Sequence, residues 1–245
     1  MNQLYIRSIR LEQAPPSDSY LAALPVVRHL SEQPLVFDNP VTFLMGENGS
    51  GKSTLIEALA VHQGFNPEGG TRNMMFSSAD SHSGLWQLLR VSRGTLRPRD
   101  GFFLRAESYY NLASYLDKQE LELPGLLDCY GGDSLHEQSH GESFLATVEN
   151  RFGPKGLYIL DEPEAALSPA RILRLMAQIH RLVQAESQFI IATHSPMLTA
   201  LPGASVMEIR EDGIRKVDWR QTEHYQILKE FLDRPERMLG YLLEE

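Results

Sequence analysis

Nine consecutive residues, Gly46-Glu47-Asn48-Gly49-Ser50-Gly51-Lys52-Ser53-Thr54, hold a glycine, four free positions and then Gly-Lys-Ser. A polyphosphate needs many donors converging on it. Backbone N–H groups supply them only where the chain can turn without a Cβ, a freedom that Gly46, Gly49 and Gly51 provide. A helix starting behind such a loop adds unpaired N–H groups and the positive end of its dipole. Lys52 then reaches the β- and γ-phosphates, and the Ser53 hydroxyl completes a Mg²⁺ shell that the phosphates otherwise fill. The spacing therefore points to a nucleoside triphosphate.

A second set of chemically able residues lies more than a hundred positions on. Leu157-Tyr158-Ile159-Leu160 runs into Asp161 and Glu162. In a parallel sheet covered on both faces the strands are continuously apolar, and ligands bind at their carboxyl ends. Asp161 is then expected where Mg²⁺ would sit, near Ser53. Glu162, one residue further, is expected to orient and deprotonate a water attacking the γ-phosphate. Gln188-Phe189-Ile190-Ile191-Ala192-Thr193 is a further apolar run with His194 at its end, placed to hydrogen-bond the γ-phosphate and sense its loss. Ser139 and Gly141, in Gln138-Ser139-His140-Gly141-Glu142-Ser143, open a helix carrying Phe144, Leu145 and Val148. They read either as a plain cap or as an anion site serving a different molecule.

The elements that must position these groups are legible in outline. Residues 3–11 alternate as a first strand, and Leu35-Val36-Phe37, Asp38-Asn39-Pro40 and Val41–Met45 read as a hairpin delivering the phosphate loop. Leu55, Ile56 and Leu59 recur at helical spacing behind the loop, with Gly64 as the stop. Residues 65–84 read as a mobile loop, and Gly101–Glu107 as a strand. Tyr109, Leu112, Tyr115 and Leu116 place a helix within 108–130, and residues of about 108–150 form a helical insert. Ser168 caps a helix beginning at Pro169, whose stripe is Ile172, Leu175, Met176, Ile179, Leu182 and Val183. Val206–Arg210 and Gly213–Trp219 read as a hairpin, and residues 221–243 as a C-terminal helical cap, with Glu223 and His224 on the surface.

Composition narrows the classes. A chain of 245 residues with 42% hydrophobic and 22% charged residues buries a full core, and one domain over 1–245 is expected. A net charge of −9 gives no mean attraction for nucleic acid, so such a contact needs a local basic patch. Arg90, Arg93, Arg97 and Arg99 are the one cluster, read first as a solvated face and second as a docking patch for nucleic acid or protein. Cys129 stands alone, which excludes an internal disulfide, and reads as a buried or half-buried apolar residue. Neither a membrane span nor a signal peptide is apparent, and a cytoplasmic location is expected.

Taken together these residues resemble the ABC-type ATPases. Gly46–Thr54 looks like the Walker A loop, Leu157–Glu162 like Walker B with its catalytic glutamate, Glu164–Ser168 like the D-loop and His194 like the switch histidine. Gln138–Glu142 resembles the signature motif, with His140 and Glu142 departing from the usual Leu-Ser-Gly-Gly-Gln. The run Asp161–Pro169 with Ala192–Pro196 looks most like the stand-alone AAA-family ATPases of this superfamily, nearer the SMC and RecF-type enzymes than the transporter subunits. The resemblance implies an α/β P-loop NTPase fold. In it a mostly parallel central sheet is flanked by helices, with an antiparallel N-terminal β layer and a small helical insert. It implies ATP and Mg²⁺ as ligands, and a head-to-tail homodimer in which Ser139 and Gly141 touch the partner's γ-phosphate. The Q-loop glutamine has no clean match, and Glu107 is the candidate substitute for contacting Mg²⁺ or water. About thirty residues separate Glu107 from Ser139, too few for the coiled-coil arms of SMC relatives.

Three readings follow. The first is a Mg²⁺-dependent ATPase working as a nucleotide-gated dimer switch. The second, motivated by the altered signature, is a module that binds ATP as a regulatory ligand without turnover. The third is the motor subunit of a membrane transporter, against which the degenerate signature and Pro196 count.

Overall fold

The computed structural model describes residues 4–74 and 83–243. Its strands are β1 (Ile6–Leu11), β2 (Leu35–Val36), β3 (Val41–Gly46), β4 (Leu89–Arg93), β5 (Asp100–Arg105), β6 (Gly156–Asp161), β7 (Gln188–Ala192), β8 (Ser205–Arg210) and β9 (Gly213–Val217). The helices are α1 (Tyr20–Ala23), α2 (Pro25–Glu32), α3 (Lys52–His62), α4 (Leu85–Leu88) and α5 (Tyr109–Glu122). They continue as α6 (His140–Ala146), α7 (Pro169–Gln184), α8 (Pro196–Thr199), α9 (Glu223–Asp233) and α10 (Pro235–Leu243).

Continuous apolar runs build the centre. Every residue of β3, β6 and β7 is buried, as a parallel sheet covered on both faces requires. The sheet runs β5-β6-β7-β3-β8-β9, with β5 to β8 mutually parallel and β9 antiparallel at the edge. The two-residue period sorts side chains between the faces. Phe43, Met45, Tyr158, Leu160, Phe189 and Ile191 share one cluster with Leu112 and Leu116 of α5, Phe144 of α6 and Leu175 and Ile179 of α7. Leu44, Leu157, Ile159, Ile190 and Ala192 join the other, with Val26 of α2, Ile56 and Leu59 of α3 and Ile6 and Ile9 of β1.

The α7 stripe buries Ile172, Leu175, Ile179 and Leu182, each adding roughly 1.5–3 kcal/mol if fully removed from water. Its start follows the sequence, with Ser168 at the cap position and Pro169 as first residue. The segment between β5 and β6 is helical as expected. Its apolar residues join the cluster on that sheet face rather than forming a separate core.

Several expectations are corrected. Leu35–Met45 is not a hairpin. β2 pairs antiparallel with β1, whereas β3 pairs parallel with β7 and β8, so the chain crosses from one sheet to the other at Asp38–Pro40. The antiparallel layer is instead β2-β1-β4, and its third strand lies in a stretch not read as a strand from sequence. Arg90 on β4 meets Glu12 at 3.4 Å with both side chains more than half exposed, which is the solvated face expected first. Of the stretch expected to be a mobile loop, 75–82 lie outside the described residues. Before them, Phe65, Asn66, Gly69 and Gly70 are buried, and Gly70 exchanges two backbone hydrogen bonds with Phe103 of β5. Cys129, expected to be buried, is exposed, because the short turn Leu127–Tyr130 spends its inward positions on Leu127 and Tyr130.

The β8–β9 hairpin and the C-terminal helices stand as read, although β8 also pairs with β3 inside the main sheet. No helix among the described residues is long and apolar enough to cross a membrane.

Candidate functional site

The carboxyl ends of β3, β6 and β7 lie side by side in the sheet, and each carries one part of the sequence-derived set. β3 ends in the phosphate loop. Gly51 is left-handed, with φ of 93°, and a Cβ there would stand 2.5 Å from Cγ1 of Val26. At Gly46 a Cβ would meet the Ile209 carbonyl oxygen at 2.6 Å. Both positions are therefore closed to any other residue, and the loop is moulded by α2 on one side and β8 on the other. Glu47, Asn48 and Gly49 are exposed, Ser50 and Lys52 are buried, and Ser53 and Thr54 sit half-buried in the first turn of α3.

Lys52 donates from Nζ to the carbonyl oxygens of Gly46 at 2.6 Å and Glu47 at 2.8 Å, which folds its charge over the loop. Burial pulls its pKa down, opposed by the carboxylates of Glu162, Asp161, Glu164 and Glu47. The Ser50 hydroxyl is buried without a hydrogen-bond partner among the described residues.

β6 delivers Asp161, whose Oδ1 accepts from the Ser53 hydroxyl at 3.0 Å. The loop and the acid expected to share a metal are therefore in contact. Burial pushes the Asp161 carboxyl up to about 6, against the pull of Arg105 and the Ser53 hydrogen bond. Arg105, level with Asp161 in the β5–β6 register, holds Nε 3.4 Å from Asp161 Oδ2. Its other nitrogens reach Glu57 of α3 and Glu107, each at 2.9 Å. Glu107 lies beyond the end of its strand, 80% exposed and drawn onto Arg105, so one guanidinium stands between it and Asp161.

Glu162 turns sharply out of the strand with φ of 50°, a left-handed conformation worth about 1–3 kcal/mol of strain in a residue with a Cβ. Its N–H donates to the Ala192 carbonyl at 2.9 Å, which fixes the turn against β7. The turn brings Oε1 to 3.4 Å from Nε2 of His194, which follows β7. His194 is held from two sides. Its backbone N–H donates to Glu164 Oε1 at 2.5 Å, and its Nδ1 lies 3.0 Å from Nε2 of His224. Burial, then the Lys52 charge, lowers its pKa. His194 Nε2 is buried without a hydrogen-bond partner among the described residues.

Ser139 and Gly141 stand apart from this group. No hydrogen bond or ion pair joins them to Gly46–Thr54 among the described residues. The Ser139 hydroxyl and backbone N–H both donate to Glu142 Oε2, at 2.5 and 3.2 Å, and Glu142 pairs with Arg171 at 2.7 Å. Gly141 packs so closely that a Cβ would meet the Ala166 carbonyl oxygen at 2.5 Å. Ser139 thus stands at the cap position of α6 with its hydroxyl turned onto Glu142.

Three residues that touch the site were not singled out from sequence. Arg105 had a usable signal, since a strand running level with Leu157–Asp161 must end beside the acid. Glu164 was placed only within the D-loop resemblance. His224, read as surface, comes from α9 thirty positions after His194, and no local pattern announces it. Glu223, beside it, is exposed as expected, and its backbone N–H donates to Glu208.

The residues present fit a magnesium nucleotide. A buried lysine and a helix N-terminus face the loop, and a serine–aspartate pair offers hard oxygen ligands. A buried imidazole nitrogen awaits an acceptor. Beside the loop opens a cavity of about 810 Å³, lined by Gly46–Ser50, Glu208–Asp212 and His224 among others.

Residues 144–200 match the family described as "AAA domain, putative AbiEii toxin, Type IV TA system", and residues 26–73 match one described as "AAA domain". The two segments contain the loop and Asp161, Glu162 and His194. No curated protein sequence matches the chain. Among solved structures, cbiO1 from Clostridium perfringens, part of the ABC transporter complex cbiONQ, is 19% identical. It aligns over 99% of this chain and 100% of its own, with a TM-score of 0.51. "An inward-facing conformation of a putative metal-chelate type ABC transporter" is 15% identical over 93% of this chain and 88% of that one, with a TM-score of 0.50. Two segments of the chain are thus similar to AAA domains, and its fold is shared with ATP-binding subunits of ABC transporters.

Proposed function

We propose that this chain binds Mg-ATP on the Gly46–Thr54 loop and hydrolyses it to ADP and phosphate, as a cytoplasmic, nucleotide-gated homodimer. The observation that carries this is the meeting of Lys52, Ser53, Asp161, Glu162 and His194 where β3, β6 and β7 end. The Lys52 ammonium and the N–H groups opening α3 hold the β- and γ-phosphates. Ser53 and Asp161 hold Mg²⁺, which neutralises phosphate charge when bound. Glu162 accepts a proton from water as the water oxygen bonds to the γ-phosphorus. The bond from that phosphorus to the bridging oxygen breaks, and its electron pair leaves with ADP. His194 donates from Nε2 to the γ-phosphate. Glu107 stays outside this set unless Arg105 releases it.

In the dimer, Ser139 and Gly141 of a second copy would close over the γ-phosphate, so binding draws two chains together and hydrolysis releases them. The mass of Glu162→Gln in solution tests this arrangement. Mg-ATP should convert it from one chain to two, and a mass unchanged by Mg-ATP contradicts the shared nucleotide.

A second reading, ATP as a regulatory ligand without turnover, draws on Ser139 and Gly141 being occupied within their own chain. It predicts stabilisation by about 2.7 kcal/mol at a hundredfold excess over Kd, with no phosphate released. The likeness to transporter subunits carries the fold alone, and no transport role follows from it.

A further inference from the structure

His224 is the second residue of α9 and belongs to none of the motifs above. Its Nε2 lies 3.0 Å from Nδ1 of His194, and the ring centroids are 5.1 Å apart with planes tilted by 52°. The tilt suits an in-plane N–H···N bond better than stacking. The start of α9 is held firmly. Buried Thr222 caps the helix by accepting from the Tyr225 N–H, and buried Glu208 of β8 accepts from the Glu223 N–H at 3.0 Å. His224 is thus tied to the end of the central sheet, although most of α9 beyond it is exposed.

One of the two facing nitrogens must donate, and the rest of the site decides which. His194 Nε2 faces Glu162 Oε1 at 3.4 Å and makes no other polar contact among the described residues. An ionised carboxylate only accepts, as do phosphate oxygens. His194 therefore interacts favourably with either only when Nε2 carries the proton. In a neutral imidazole that leaves Nδ1 as a bare acceptor, and the donor facing it is Nε2 of His224. The opposite assignment sets two lone pairs against each other at the Glu162 contact.

We infer that His224 is a positioning residue for His194: it donates from Nε2 to His194 Nδ1, fixes the Nε2–H tautomer, and aims that proton into the site beside Glu162. The inference rests on the ATPase reading for its consequence, because the aimed proton serves the γ-phosphate. It also gives the C-terminal helix a direct hold on the group that senses that phosphate.

Two measurements on the full chain separate this inference from the reading beneath it. With ¹⁵N-labelled histidine and no nucleotide, two-bond ¹H–¹⁵N spectra should show His194 protonated on Nε2, with Nδ1 at the shift of a hydrogen-bonded acceptor. That Nδ1 shift should move to an unbonded value in His224→Ala. A wild-type His194 protonated on Nδ1, or an Nδ1 shift untouched by the substitution, overturns the assignment whether or not the protein turns over ATP. In steady-state hydrolysis, His224→Ala should lower kcat about 10- to 100-fold, the usual effect of removing the group that orients a site histidine, with nucleotide Kd within twofold. His224→Gln, whose amide can donate to Nδ1, should recover most of the loss. A kcat unchanged in His224→Ala, or a folded glutamine variant no better than alanine, refutes the positioning role. A wild-type protein without turnover refutes the ATPase reading and leaves the spectra to decide on His224.

Discussion

Asp161→Asn should stabilise the metal-free protein while destroying its function, and the structure sets the size of the gain. Burial pushes the Asp161 carboxyl from its usual 3.8 up to about 6. Ionising a group so raised costs the fold roughly 3 kcal/mol, at about 1.4 kcal/mol per pH unit. The sign follows from comparing folded and unfolded chains. Above pH 6 the carboxylate is charged in both, and the folded form bears the full cost. As pH falls through 6 towards 4, the folded form takes up its proton first and the cost disappears. Asparagine mimics the protonated acid at every pH. It still accepts the Ser53 hydroxyl, although it loses the charge contact with Arg105 Nε at 3.4 Å.

The expected net gain is about 1–3 kcal/mol at pH 8 in EDTA, shrinking to about a third of that at pH 4.5 because the unfolded carboxyl is still largely ionised there. Urea denaturation followed by circular dichroism at the two pH values measures it. No gain at pH 8, or the same gain at both, would refute the claim that Asp161 is held ionised against its surroundings until a metal arrives.

Other substitutions probe the remaining contacts. Lys52→Met should weaken ATP binding about 10- to 100-fold in calorimetry, since it removes a charged donor worth about 1.5–3 kcal/mol. Gly51→Ala places a Cβ 2.5 Å from Val26 Cγ1 at φ of 93°. It should cost about 1–3 kcal/mol in thermal or chemical unfolding and abolish stabilisation by Mg-ATP. Arg105→Met strips the cation from Asp161 and Glu57, which are both buried. It should destabilise by about 3 kcal/mol, whereas Glu107→Gln, at an exposed end of the same cluster, should stay within about 0.5 kcal/mol.

How far the sequence carried depended on whether a signal was local. The loop, its strand and its helix form one continuous stretch, and so does Leu157–Glu162, where four apolar residues ahead of two acids announce a buried strand ending at a ligand. Parallel pairing brings such ends to one edge of the sheet, where Ser53 and Asp161 are in contact. Pairing between distant segments left no such trace. Leu35–Met45 has the pattern of a hairpin, and only the greater burial available beside β7 and β8 sends its second half into the other sheet. Leu89–Arg93 hides a strand beneath its arginines, because the exposed positions of this edge strand are the polar Arg90, Ser92 and Arg93. Cys129 was misplaced because a short turn buries by direction rather than by residue type. His224 reaches the site through the packing of a terminal helix, and no periodicity encodes that meeting.

The account turns on Glu162 as the base that readies water beside a loop-bound triphosphate. Phosphate release from purified protein with Mg-ATP, run in parallel on wild type and Glu162→Gln, tests it most directly. Sustained wild-type turnover is predicted, with the variant about 10²- to 10⁴-fold slower yet still binding nucleotide. Equal rates in the two proteins, or no release from wild type, would contradict it.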